Sequence, residues 1–316
     1  MEANIKPKRR WRKVLLIIAG VMLFLFLAIL CLIPPFIMKD MVDLHVNFSE
    51  TYEASDFDLT ANELSLKTKD GIKIAAYEVY TELPKAVVIF ISGIHNPSVT
   101  SYFGHAKWLK EHGYASILYE LRAHGDSEGN TICLGYKEIL DTKAVVDYIK
   151  SENKYKDVPI VVFGVSMGGA TAINSIGEIN EIDGLISCSA YASWDDAFSD
   201  NMLNMGAPKA IAFTVQPFVK LYTDFKYGFD TANITPEQEI KKLGDRPALL
   251  MHSKDDSQVP YPSFTRIMKN APPQVETWVR DGDIHFIVKE NAFFNPEDDK
   301  EYADTIIGFL EKHFGT

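Results

Sequence analysis

The apolar and polar positions divide the chain into three stretches. From Val14 to Ile33 apolar residues follow one another almost without a break and leave no polar face. About twenty such residues suffice to cross a bilayer as a helix. Pro34-Pro35 is expected to end that run. Residues 38–60 are polar and acidic with scattered aromatics, the pattern of a stalk. From residue 61 onward, short apolar runs alternate with amphipathic ones, the pattern of a folded domain.

Within 61–316 the order of elements is regular. Glu63–Thr68 and Ile72–Tyr80 alternate in polarity around Asp70-Gly71, which predicts a hairpin. Ala86–Ile91, Tyr114–Tyr119, Pro159–Phe163, Gly184–Ser189 and Pro247–His252 are short, nearly continuous apolar runs, as expected of buried parallel strands. Val275–Val279 reads as the last strand. Helical patterns lie between them at Ser101–His112, Tyr136–Lys150, Gly169–Ile176 and Ser263–Asn270, and Lys300–His313 closes the chain. Alternating strands and helices predict an α/β fold with a doubly wound, mostly parallel sheet that starts antiparallel. The regular alternation stops between Ser193 and Leu243. That stretch is rich in Met and aromatics and is expected to form a small helical cap over an apolar pocket.

One strand-to-helix junction carries chemistry. Gly164-Val165-Ser166-Met167-Gly168 fits the G-x-S-x-G nucleophile elbow. A serine on so tight a turn sits at a strained backbone angle, and glycines on either side relieve the crowding. The turn also sets the hydroxyl at a helix N-terminus, where free N–H groups stabilise developing negative charge. A serine nucleophile needs a base to take its proton and a carboxylate to hold that base. In the chain order Ser, acid, His, the candidates are Ser166, then Asp255 or Asp256, then His285. Of the eight histidines, His285 and His313 follow the last strand; His313 is near a helix end, whereas His285 sits in the loop directly after the strand, with Gly282 giving that loop freedom. His95 and His124 occupy loops at the same sheet edge but precede the serine. They are expected in the site wall.

Net charge is −11, which argues against a nucleic-acid-binding surface. Residues 1–13 hold a basic cluster, Lys6, Lys8, Arg9, Arg10, Arg12 and Lys13, and no net positive charge follows the span. The apolar run is longer than a signal-peptide core and lacks a small-residue cleavage site. Residues 14–37 are therefore expected to be a retained, single-pass signal anchor. The positive-inside rule puts the N-terminus in the cytoplasm and the domain outside. Cys31 lies in the span, and sequence alone does not decide whether Cys133 and Cys188 pair. No zinc-type spacing occurs, and no metal or organic cofactor is implied.

Three motifs carry a family resemblance. Leu121-Arg122-Ala123-His124-Gly125-Asp126-Ser127-Glu128-Gly129 resembles the R-G-H-G-x-S-x-G loop of α/β-hydrolase-fold enzymes. Gly164–Gly169 resembles their G-x-S-M-G-G elbow, and His252–Pro260 resembles their H-G-x-x-D-x-x-V-P segment. The resemblance extends over residues 60–314, and together with the anchor it points to bacterial membrane-anchored α/β hydrolases of prolyl-oligopeptidase-like and lysophospholipase-like type. It implies Asp256 as the acid, with Ser253 where the family has glycine. It implies the backbone N–H groups of Met167 and Ile94 as the oxyanion hole, although Ser92-Gly93-Ile94 lacks the family's usual His-Gly. The implied activity is a membrane-anchored serine hydrolase acting on a small-molecule or lipid-derived carboxylic ester. Peptidase, amidase or acyl-transfer activity is an alternative on the same fold, and non-catalytic binding is the competing class.

Overall fold

The computed structural model describes residues 8–230 and 233–315, so Lys6 of the basic tail lies outside the described residues. Among the described residues eight strands form one sheet: β1 (Asn62–Lys67), β2 (Lys73–Val79), β3 (Val87–Ile91), β4 (Ala115–Tyr119), β5 (Ile160–Val165), β6 (Gly184–Cys188), β7 (Ala248–Ser253) and β8 (Glu276–Arg280). Their order is β1-β2-β4-β3-β5-β6-β7-β8. β2 is antiparallel to β1 and β4, and the other pairings are parallel. The helices are α1 (Lys8–Val42), α2 (Phe103–Glu111), α3 (Ile139–Ser151), α4 (Met167–Glu178), α5 (Trp194–Asn204), α6 (Lys209–Tyr227), α7 (Pro236–Glu239), α8 (Pro262–Asn270) and α9 (Lys300–Phe314).

The apolar runs become central strands because both of their faces are covered. Val87, Ile89 and Ile91 of β3 enter one core with α3, α4 and α8, while Val88 and Phe90 enter the other with α2 and α9. β1, at the edge, keeps polar residues outward and alternates between exposed and half-buried positions. Between β6 and β7 the chain leaves the sheet to form the helical hairpin of α5 and α6. Ser193 Oγ caps α5 by accepting from Asp196 N–H at 3.2 Å.

Pro34 and Pro35 do not end the N-terminal helix, which continues to Val42. Each proline removes one backbone donor and strains the preceding turn. Packing offsets that loss: Leu30, Met38 and Val42, on one stripe of α1, are buried in the same core as α6. The chain after α1 is also fastened to the domain. Ile132 N–H donates to the Val42 carbonyl at 2.8 Å, Val46 N–H to Ala123 at 2.8 Å, and Gly125 N–H to Val46 at 2.9 Å. The expected stalk thus begins as helix and then pairs with the loop between β4 and α3.

Candidate active site

The elbow between β5 and α4 puts Ser166 at φ 58°, ψ −121°, a conformation disfavoured for a side chain and held only by the surrounding backbone. A Cβ on Gly164 would lie 2.0 Å from the Gly168 carbonyl oxygen, and one on Gly168 would lie 2.2 Å from that of Ile91. The motif's glycines are therefore required by the close approach of three backbone segments. Ser166 N–H donates to Cys188 at 2.9 Å, which ties the elbow to β6. Met167 is the first residue of α4, so its N–H has no intrahelical acceptor.

The acid and the histidine come from the loops after β7 and β8. His285 Nδ1 lies 2.8 Å and 3.0 Å from the two Asp256 carboxylate oxygens, and both residues are buried. Asp256 Oδ1 also accepts from Gln258 and Val259 N–H, each at 2.9 Å. Burial pushes the Asp256 pKa up. The His285 hydrogen bond, its charge and the Val259 N–H outweigh burial and hold it below the ordinary carboxylate value. Asp255 is exposed and its carboxylate makes no contact with His285. The two loops are laced together. Ile284 N–H donates to Ser253 Oγ at 3.2 Å, and Ser257 N–H to Asp283 at 3.0 Å. The serine that replaces the family glycine at 253 thus supports the histidine loop. His252 Nε2 donates to the Val259 carbonyl at 2.8 Å and shapes the acid loop.

With Nδ1 committed to Asp256, Nε2 is the ring nitrogen left to act on a substrate. Ser166 Oγ has no hydrogen-bond partner among the described residues, so Ser166 and His285 are not hydrogen-bonded to each other. A cavity of about 690 Å³ is lined by His285, Gln258, Asn96 and Pro97. Ser166 is not on its wall. It lies against the same loop, where the Cβ position of Gly93 is 3.4 Å from Ser166 Cβ.

His124 and the end of α1 hold that loop, Ser92–Pro97, a supporting role beyond the place in the site wall expected of His95 and His124. His95 N–H donates to His124 Nε2 at 3.3 Å, which leaves His124 Nδ1–H to donate to the Arg122 carbonyl at 2.8 Å. Burial pushes the His124 pKa down to about 4, so the ring is neutral and able to accept. His95 Nε2 donates to the Met41 carbonyl at 2.7 Å, one of the last-turn carbonyls of α1. Ile94 N–H donates to no group among the described residues. His124 is itself placed by its neighbour Arg122, which is buried in ion pairs with Asp141 and Asp70. Cys133 and Cys188 are buried, unpaired thiols. Among the described residues no cluster of His, Cys, Asp or Glu is placed to hold a metal.

The strand order, the strained serine between β5 and α4, and the Asp–His pair after β7 and β8 define an α/β-hydrolase fold. The sequence profile of the serine aminopeptidase S33 family matches residues 82–239, half of the chain. The chain belongs to that family and is a hydrolase. The structure of the Pyrococcus furiosus esterase Pf2001 superposes with a TM-score of 0.67 at 22% identity, covering 87% of this chain and 98% of that one. The uncharacterized protein YqkD of Bacillus subtilis is 23% identical over 76% of both chains. The phospholipase ABHD3 of Mus musculus is 30% identical over 42% of this chain and 34% of its own.

Proposed function

We propose that this chain is a membrane-anchored serine hydrolase that cleaves carboxylic esters, lipid-derived esters among them. The observation that carries the reading is the buried Asp256–His285 pair, which leaves Nε2 without a partner and follows β7 and β8, strands that run parallel to β5, whose carboxyl end carries the strained Ser166. Ser166 Oγ attacks the ester carbonyl carbon while His285 Nε2 takes its proton. Asp256 holds the ring and stabilises its positive charge. The oxyanion forms against the N–H groups of Met167 and Ile94, and one such donor contributes roughly 3 kcal/mol to the transition state. Collapse breaks the C–O bond, and His285 returns the proton to the leaving alcohol. Water, deprotonated by His285, then cleaves the acyl-enzyme.

Two names support an ester as the substrate, the Pyrococcus furiosus esterase and the mouse phospholipase. A second reading, hydrolysis of an aminoacyl amide, is favoured by the family description and by Glu50, Asp283 and Glu290 on the cavity wall, which suit a substrate ammonium group. The test is fluorophosphonate labelling followed by turnover of p-nitrophenyl esters of graded chain length beside aminoacyl amides. Wild type is expected to label, Ser166→Ala to remain unlabelled, and esters to turn over faster. Equal labelling of both proteins sinks the serine assignment. Faster amide turnover transfers the reading to a peptidase.

The exposed, uncharged part of α1 is the proposed anchor, with the basic tail cytoplasmic and the domain outside. Protease added to intact cells is expected to digest the domain. Protection until lysis reverses the orientation.

A further inference from the structure

Large apolar side chains on the surface of the folded domain concentrate in one place. Outside α1, most of them lie on α5, α6 and the residues flanking these helices. Phe213, Pro217, Leu221 and Phe225 of α6 are spaced four apart, so they form one stripe along the helix, and all four are exposed. Met205, at the turn from α5 to α6, is 88% exposed, and Ile211 is 49% exposed. From Asn201 to Val219 the chain carries a single charge, Lys209. A water-facing helical hairpin is expected to carry the opposite pattern.

The position of this hairpin relative to α1 names what covers it. Lys13 is the last charge before the apolar run, and Leu30 lies about 25 Å further along the helix at 1.5 Å per residue. The hydrocarbon core of a bilayer is about 30 Å thick. Leu30 therefore lies at the depth of that core if α1 spans it, yet Leu30 is buried in protein. The helix packed along α1 is α6. Their C-terminal ends meet, because Lys226 in the last turn of α6 pairs with Asp43 just beyond α1. Trp194, at the start of α5, donates to Met38 Sδ at 3.3 Å one turn further back. α6 thus runs in the same direction as α1, with its N-terminal end lying back toward the span. Counting equal distances from Asp43 and Lys226 sets Phe213 level with Leu30. The turn from Met205 to Ile211 reaches at least as far.

The same hairpin borders the candidate site. Asn201 Nδ2, in the last turn of α5, donates to the Gln258 carbonyl at 3.3 Å, and Gln258 shares a cavity wall with His285. We propose that the α5–α6 tip inserts into the bilayer surface beside α1 and presents the mouth of the cavity to lipid. The ester is then taken from the membrane rather than from water. Lys209 reaches the headgroups by extending its charged end while its stem stays apolar. This proposal rests on reading α1 as a membrane span.

The test uses the full chain in vesicles of phosphatidylcholine and phosphatidylglycerol doped with a doxyl-labelled lipid. A polarity-sensitive fluorophore is attached in turn to native Cys31, to Phe213→Cys and to Leu83→Cys, the latter two in a Cys31→Ser background. Cys133 and Cys188 are shielded by burial. Leu83 is 90% exposed, in the connection between β2 and β3. Quenching at 31 and 213 but not at 83 is the expected result. Quenching at 31 alone leaves the anchor standing and overturns the proposal. No quenching at either site removes the anchor reading and the proposal with it. Cross-linking of Phe213→Cys between two chains without lipid quenching shows that the stripe covers a second copy, which also overturns it. Turnover gives the second readout. Met205→Asp with Phe213→Asp is expected to slow hydrolysis of a vesicle-embedded long-chain ester by about tenfold or more. Hydrolysis of a short soluble ester should be unchanged. An equal loss on both esters overturns the proposal.

Discussion

Two turns meet at Ser166, and they are held by opposite means. The elbow is held by itself. Its backbone segments approach so closely that Gly164 and Gly168 leave no room for a Cβ, and the strain at Ser166 is imposed by atoms a few residues away or on adjoining strands. The Ser92–Pro97 loop is held from a distance. His124 supports it from the loop after β4, and the Met41 carbonyl supports it from the end of α1. The comparison teaches that the geometry of the proposed nucleophile belongs to the sheet. The proposed oxyanion loop depends in addition on how the N-terminal helix docks.

The comparison breaks most directly at Gly168. In Gly168→Ala the new methyl meets the carbonyl oxygens of Ile91 and Ser92 at 2.2 and 2.3 Å, and neither backbone atom can swing aside. Overpacking of this kind costs about 3 kcal/mol or more. Turnover is expected to vanish, with Tm lowered by roughly 6–12 °C. Retained turnover would mean that the elbow is looser than its backbone contacts require.

Next in size is the acid. Asp256→Asn keeps the shape but lets His285 take the wrong tautomer, which is expected to lower kcat roughly 10⁴-fold. Asp255→Asn, at an exposed position with no contact to His285, is expected to leave kcat within about twofold. A larger loss at Asp255 than at Asp256 overturns the assignment of the acid.

The distant support of the loop is worth less. His95→Ala deletes the hydrogen bond to Met41 and leaves the His95 N–H contact with His124 in place. One hydrogen bond contributes about 1 kcal/mol net, so kcat is expected to fall roughly fivefold with KM little changed. An unchanged kcat would separate α1 docking from the chemistry. A rise in KM alone would assign His95 to substrate binding.

The same contrast explains what was legible in the sequence. Glycines around Ser166 are a local signature because the steric cause is local. The strands of the sheet were readable because burial on both faces leaves continuous apolar runs, such as Val87–Ile91. Asp256 and His285 were readable through chain order and the resemblance at His252–Pro260. By contrast, a histidine on a loop carries no mark that its ring meets a carbonyl 54 positions earlier. Nor does Ser253 show that its hydroxyl accepts from Ile284. Pro34-Pro35 reads as a helix end by local propensity, and tertiary packing along α6 overrides it.

The smallest effect on turnover is expected at Glu120, which supports the far end of the Ser92–Pro97 loop. Its carboxylate accepts from Ser98 Oγ and, at 3.1 Å, from Val99 N–H. Burial raises its pKa to about 7, despite those two donors. In the unfolded chain a glutamate titrates near 4.3. Between these values the folded protein holds a proton that the unfolded chain has released. Stability therefore falls as pH rises from about 4.3 to 7 and is flat above. Each pH unit in that window corresponds to about 1.4 kcal/mol. Glu138 and Asp141, with values raised to about 7 and 6, slope the same way, so the informative quantity is the difference between two proteins. Asp256 slopes the other way, because its folded value is depressed. Its contribution is present above about 3.9 and lost only at lower pH, outside the window. Glu120→Gln keeps an acceptor for Val99 N–H and cannot ionise. Its denaturation midpoints from pH 4.5 to 8 are expected to fall less steeply than those of wild type, while kcat at pH 7 stays within about twofold. Parallel profiles would mean that Glu120 is already ionised where it stands, and that the far end of the loop is held by charge.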